Sequence, residues 1–155
     1  NDTSCIKMLT SFKIINHIHI DTKIIDEISL SYEDRFIRRK KLIANNGTEF
    51  LVNLEETKSV DENYYFKLDS GEVIKVISKE ENLIEITGDN IKQIIWHIGN
   101  RHLPCQIEDQ RILIQDDPVI EDMINKLKGC VTKVVEKFKP EGGAYGLGRT
   151  HSHKH

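Results

Sequence analysis

Seven histidines are the residues in this 155-residue chain best suited to chemistry, and their spacing sorts them into groups. His151, His153 and His155 alternate in the terminal sequence His151-Ser152-His153-Lys154-His155, so an extended backbone projects them to one side. His97 and His102 lie in the heptapeptide Trp96-His97-Ile98-Gly99-Asn100-Arg101-His102, which Leu103-Pro104 follows. His17 and His19 share the i,i+2 spacing at which two imidazoles can chelate one ion. Imidazole nitrogens without thiolates suit Ni(II), Cu(II) or Zn(II), and affinity order alone favours copper, so the donor chemistry does not name the metal.

His102 is the principal candidate ligand. A histidine placed after a helix also has a structural role available, hydrogen-bonding the last carbonyls and complementing the dipole. Symmetry adds a second reading. In a two-fold homodimer a residue near the axis meets its own copy, so one imidazole per chain becomes two ligands. The tail histidines His151, His153 and His155 can fill remaining positions, because a tether raises their effective concentration to roughly millimolar. Exchangeable ligands of this kind suit a carrier, which must release its ion.

The other candidates are weaker. His97 sits five residues before His102, and HxxxxH lacks both the i,i+4 geometry and the glutamate of a zinc-protease helix. It is read as structural, with an auxiliary ligand role as the alternative. His17 and His19 read as a solvated strand face beside Lys13 and Asp21. Asp116 and Asp117 offer oxygen atoms, but Asp117 before Pro118 is a helix cap. Cys5, Cys105 and Cys130 are odd in number and far apart, so they form neither a disulfide framework nor a CxxC knuckle. They read as reduced thiols, with Cys130 packed at a strand start.

The elements that must position these groups fall into two halves, and the pattern predicts an α+β chain. In residues 11–20 Phe12, Ile14, Ile18 and Ile20 alternate with Lys13, His17 and His19, the period of a half-buried strand. Further strands are expected at 22–30, 38–44, 48–54, 62–68 and 72–78, with tight turns at Asn45-Asn46-Gly47 and Asp69-Ser70-Gly71. Short strands and tight turns predict a small antiparallel domain, barrel or sandwich, over residues 1–79. Its basic residues Arg35, Arg38 and Arg39, with Lys40 and Lys41, could dock an acidic partner or guard a sheet edge. The charged, aperiodic residues 78–82 mark the boundary.

Residues 80–141 predict a βαββαβ order, which is ferredoxin-like. A strand over 82–87 precedes a helix with Ile91, Ile94, Ile95 and Ile98 at i, i+3, i+4 and i+7, capped by Asp89 or Asn90 and closed by a left-handed Gly99. Strands at 105–108 and 111–115 follow. A second helix carries Val119, Ile120, Met123, Ile124 and Leu127 until Gly129 closes it, and a last strand runs 130–138. Residues 142–155, rich in glycine and histidine, read as a flexible tail.

Composition excludes several classes. With 38% hydrophobic and 30% charged residues the chain has the balance of a globular protein. No run of about 18 apolar residues predicts a membrane span. A net charge of -3 provides no field for nucleic acid. Residues 1–8 lack a signal-peptide pattern, so a cytoplasmic location is expected. No nucleophile and base pair stands out, and no enzymatic role is expected.

Two phrases in their order, Trp96 to Pro104 (WHIGNRHLP) and Phe138 to Tyr145 (FKPEGGAY), with the histidine-bearing tail, closely resemble the urease accessory metallochaperones of the UreE family. The likeness is specific in the C-terminal half and weaker over residues 10–78. It implies a homodimer whose β domain binds partner proteins and whose ferredoxin-like domain carries nickel at the interface. Delivery would be to apo-urease through a GTPase-containing accessory complex. His102 matches the family's interface ligand and the tail histidines its supplementary ligands, with Zn(II) and Cu(II) as further ions. Asp116, Asp117 and Pro118 stand where some members carry histidines. A metal-independent adaptor acting through the β domain is the competing reading.

Overall fold

The structure, a computed structural model, describes residues 8–142. Most of its ordered backbone is strand, with two helices, so the chain is α+β. It divides into two compact units between Ser78 and Lys79.

The first unit is one six-stranded sheet made from β1 (Leu9–Ile15), β2 (Ile24–Leu30), β3 (Phe36–Ile43), β4 (Glu49–Ser59), β5 (Tyr65–Leu68) and β6 (Val73–Ser78), in the order β2-β6-β5-β1-β4-β3. The two expected hairpins are present. Gly47 and Gly71 take φ of 94° and 92° in the turns between β3 and β4 and between β5 and β6, where a side chain would be strained. The sheet is not purely antiparallel, however, because β1 pairs with β4, and β2 with β6, in parallel. Turn residues announce only hairpins between neighbours, whereas these parallel pairs join strands far apart in sequence.

One strand departs from its expected face. β1 stops at Ile15, Phe12 is 58% exposed and Ile20 fully exposed, while Thr10 and Ser11 are buried. The pairing of β1 with β5 shifts register between Ser11 and Lys13, and an extra residue there reverses which side chains point inward. The Ser11 hydroxyl, buried as a result, donates to the carbonyl of Lys13 at 3.1 Å. The core is aromatic and β-branched: Phe50, Val52, Phe66, Ile74 and Val76 have no exposed surface, and the two phenyl rings lie 5.5 Å apart.

The second unit contains β7 (Glu80–Thr87), α1 (Ile91–Asn100), β8 (Gln106–Ile107), β9 (Ile112–Gln115), α2 (Pro118–Lys126) and β10 (Cys130–Lys137). Its strands form an antiparallel sheet in the order β10-β7-β9-β8. Glu80 and Glu81, expected in the boundary segment, belong instead to β7, since they pair with Lys137 and Glu136. Ile84, Ile86, Ile112 and Ile114 of the sheet pack with Ile94 and Ile98 of α1 and Ile120 and Ile124 of α2. Each such side chain contributes about 1.5–3 kcal/mol on burial. Asp117 caps α2 as its position suggested, accepting from the backbone N–H groups of Val119 and Ile120 at 2.9 and 3.4 Å.

Alternate sheet residues face away from the helices and meet at an ion network. Arg111 donates to Glu136 at 2.8 Å through two nitrogens, to Glu85 at 2.9 Å and to Glu108 at 3.2 Å. The Arg111 guanidinium holds the Glu136 carboxyl below the usual glutamate range, outweighing the opposing effect of burial. A carboxyl depressed in the folded state adds stability above its unfolded pKa of about 4.3 and loses it as pH falls through the lower folded value. Thermal melts from pH 7 to pH 3 should therefore show destabilisation beginning near pH 4–5, with a shallower pH slope in Glu136→Gln. Parallel slopes for the two proteins would exclude Glu136 from the effect.

Candidate metal site at the end of the first helix

The stripe of Ile91, Ile94, Ile95 and Ile98 sets one face of α1 against the sheet, and the way this helix ends places His102. Gly99, expected as the left-handed residue, is still inside the helix. The left-handed position falls on His102 itself, with φ of 57°. The His102 N–H donates to the carbonyl of Gly99 at 3.0 Å and the Leu103 N–H to that of Ile98 at 3.4 Å, the paired bonds of a Schellman ending. Leu103 packs into the same apolar cluster as Ile98, the contact that normally accompanies this ending. The sequence signal was thus an apolar residue five places after the last buried isoleucine, rather than the glycine.

A non-glycine side chain in that conformation costs about 1 kcal/mol. Strain by itself does not mark His102 as functional, because Lys128 takes φ of 63° at the equivalent position after α2. There the Lys128 and Gly129 N–H groups donate to Asn125 and Ile124, both at 3.0 Å. The fold ends both helices this way. What distinguishes the first is that the residue in the forced position is an imidazole, half-buried, at the start of the loop to β8.

The neighbouring groups have other work. The His97 ring stacks edge-on to Trp96 with centroids 5.1 Å apart, and its carbonyl accepts from Arg101 Nη1 at 3.1 Å. Trp96 remains 63% exposed. Asp116 approaches Lys133 at 3.7 Å, and Asp117 is engaged as the α2 cap. Burial, reinforced by the charge of Glu141, pushes the Cys105 thiol up to about 11, so it is a poor thiolate donor. Cys130, expected to be packed, is exposed at the start of β10. Among the described residues no group of three histidine, cysteine, aspartate or glutamate side chains could hold an ion. His151, His153 and His155 lie outside the described residues. Among the described residues His102 therefore fits a metal as a single donor to a site that other groups would have to complete.

The first unit yields two corrections. Arg35, grouped with the partner-facing basic residues, is buried. Its Nη1 donates to the Leu30 carbonyl at 3.1 Å and its guanidinium lies 5.7 Å from the centre of the Tyr32 ring. Its role is structural, since it supplies a donor where the backbone turns from β2 to β3. Arg38 and Arg39 are exposed on β3, an edge strand of the sheet. His17 and His19 lie beyond β1 in an exposed loop, their rings 6.2 Å apart, rather than on a strand face.

These features define a two-unit α+β protein that presents one histidine from a strained helix end. Residues 81–155 match the family model for the C-terminal domain of the UreE urease accessory protein. The chain is 51% identical over 130 residues to the urease accessory protein UreE of Ruegeria pomeroyi, covering 84% of this chain and 87% of that one. It is 48% identical to that of Rhodobacter capsulatus over 84% and 83% of the two chains. The same protein from Azorhizobium caulinodans is 37% identical over 96% of this chain and 76% of its own. The chain belongs to the UreE family of urease accessory proteins.

Proposed function

We propose that this chain serves urease maturation as a non-catalytic nickel carrier, binding Ni(II) through His102 at the axis of a homodimer and passing it to apo-urease in company with a GTPase-containing accessory complex. The observation that carries the reading is the fixed presentation of His102 from the C-terminal end of α1 in a chain of the urease accessory family. The β-α-β-β-α-β order of the second unit, with strand order β10-β7-β9-β8, supports reading it as ferredoxin-like. Exposed Trp96, on α1 six residues before His102, supports a partner surface beside the site. Two copies meeting there would supply two imidazoles, and His151, His153 and His155 the supplementary donors. Zn(II) and Cu(II) share this donor preference and are expected to compete.

Equilibrium dialysis with Ni(II) tests the reading. About one ion per two chains is expected, as a site on a two-fold axis requires. A chain ending at Arg149 should keep that stoichiometry and lose its ion faster to a chelator. Failure of the full chain to retain nickel overturns the reading.

A further inference from the structure

The segment that follows β10 does not leave the domain where the strand ends. β10 and β8 are opposite edges of the sheet, three strand spacings or about 14 Å apart. Yet the Lys139 N–H donates to the Gln106 side-chain oxygen at 2.8 Å and the Glu141 N–H donates to the Cys105 carbonyl at 2.9 Å. Phe138, just after the strand, has no exposed surface, and Glu136 two residues before it is gripped by Arg111, the residue preceding β9. Residues 138–141 are thus carried from one edge of the sheet to the other and pinned there. The pin is close to His102, since Cys105 is three residues from it and that stretch of chain spans at most about 11 Å.

We propose that Phe138, Gln106 and the Glu141 backbone N–H act as a strap that positions the C-terminal residues, fixing their point of departure beside the His102 loop of the same chain. The strap deepens the nickel-carrier reading and rests on it. His151 lies ten positions beyond Glu141, a stretch that spans at most about 35 Å. With the Glu141 bond removed, the last fixed point retreats to Lys139, whose N–H stays on Gln106, and the tether lengthens by two residues. Effective concentration falls with tether length to about the 3/2 power and further with the distance to be spanned, so its loss is about 1.3-fold or more.

The test exploits the fact that the pin at Glu141 is a backbone N–H. Glu141→Pro removes the donor from an exposed position, whereas Glu141→Ala removes the carboxylate and keeps the donor. Phe138→Ala is avoided because deleting a fully buried ring endangers the fold. Nickel release to a chelator is followed for the wild type and both variants, in the full chain and in the chain ending at Arg149. In the full chain Glu141→Pro should speed release about 1.3-fold or more, with Glu141→Ala unchanged, and in the shortened chain neither should have an effect. A structural role for the pin alone would accelerate release equally with and without residues 150–155, and that result overturns the strap, as does a full-chain Glu141→Pro indistinguishable from wild type. A wild-type chain that holds no nickel overturns the carrier reading and the strap with it. Tail-dependent retention that ignores Glu141→Pro overturns the strap alone.

Discussion

Replacing His102 with alanine is expected to cost nickel affinity by more than roughly a hundredfold, since losing even a group that merely orients a ligand costs 10–100-fold. In a two-fold dimer the single substitution removes both principal imidazoles. The left-handed backbone at His102 supplies a control for folding. Alanine keeps the strain, while glycine relieves about 1 kcal/mol of it and returns a similar amount as unfolded-chain entropy. Both variants should lose nickel, and His102→Gly should melt within a few degrees of the wild type. Dialysis with the metal and thermal melts of the metal-free proteins read the two properties separately. Nickel binding that survives either substitution would remove His102 from the site and with it the symmetric arrangement.

The second large effect is expected at Gly129. A methyl group there would stand 2.7 Å from Ile94 Cδ1 and 2.8 Å from Ile124 Cγ2. The first is the end of a side chain that can rotate, but the second is a branch methyl fixed close to the α2 backbone, and both isoleucines are fully buried. Overpacking of this kind costs about 1–3 kcal/mol. For a domain of this size that lowers the melting temperature by several degrees per kcal/mol, up to roughly 20 °C. Gly129→Ala should show such a loss in metal-free thermal unfolding, and a melt equal to the wild type would mean that the neighbouring isoleucines give way. The glycine reads in the sequence as a conformational cap; its φ is not positive, and its use is to let the chain pass close to both helices.

That difference shows what was legible in the residues. The α1 stripe, the Asp117-Pro118 cap and the glycine turns at Gly47 and Gly71 depend on neighbours within about five positions, and all are present. The parallel pairing of β1 with β4 and the reversed face of β1 depend on contacts across the sheet, which period-two patterning does not report. Arg35 was misplaced for a related reason. A charged residue in a basic run looks solvated until the turn closes over it and offers the Leu30 carbonyl and the Tyr32 ring. At the candidate site, the histidine itself was legible and its backbone state was not, because Gly99 and His102 compete for one helix ending. The packing of Leu103 against the helix and sheet cluster decides between them.

Asn90 precedes α1 and is, with Asp89, one of the two residues expected to cap it, yet its side chain makes no such bond and donates instead to the carbonyl of Leu127, just past the end of α2. The first turn of one helix is thereby fastened to the last turn of the other. Helix ends ordinarily fray on their own, each with its own low opening free energy. Fastened ends are expected to open together, so the amides of these two turns should exchange with solvent as one cooperative group.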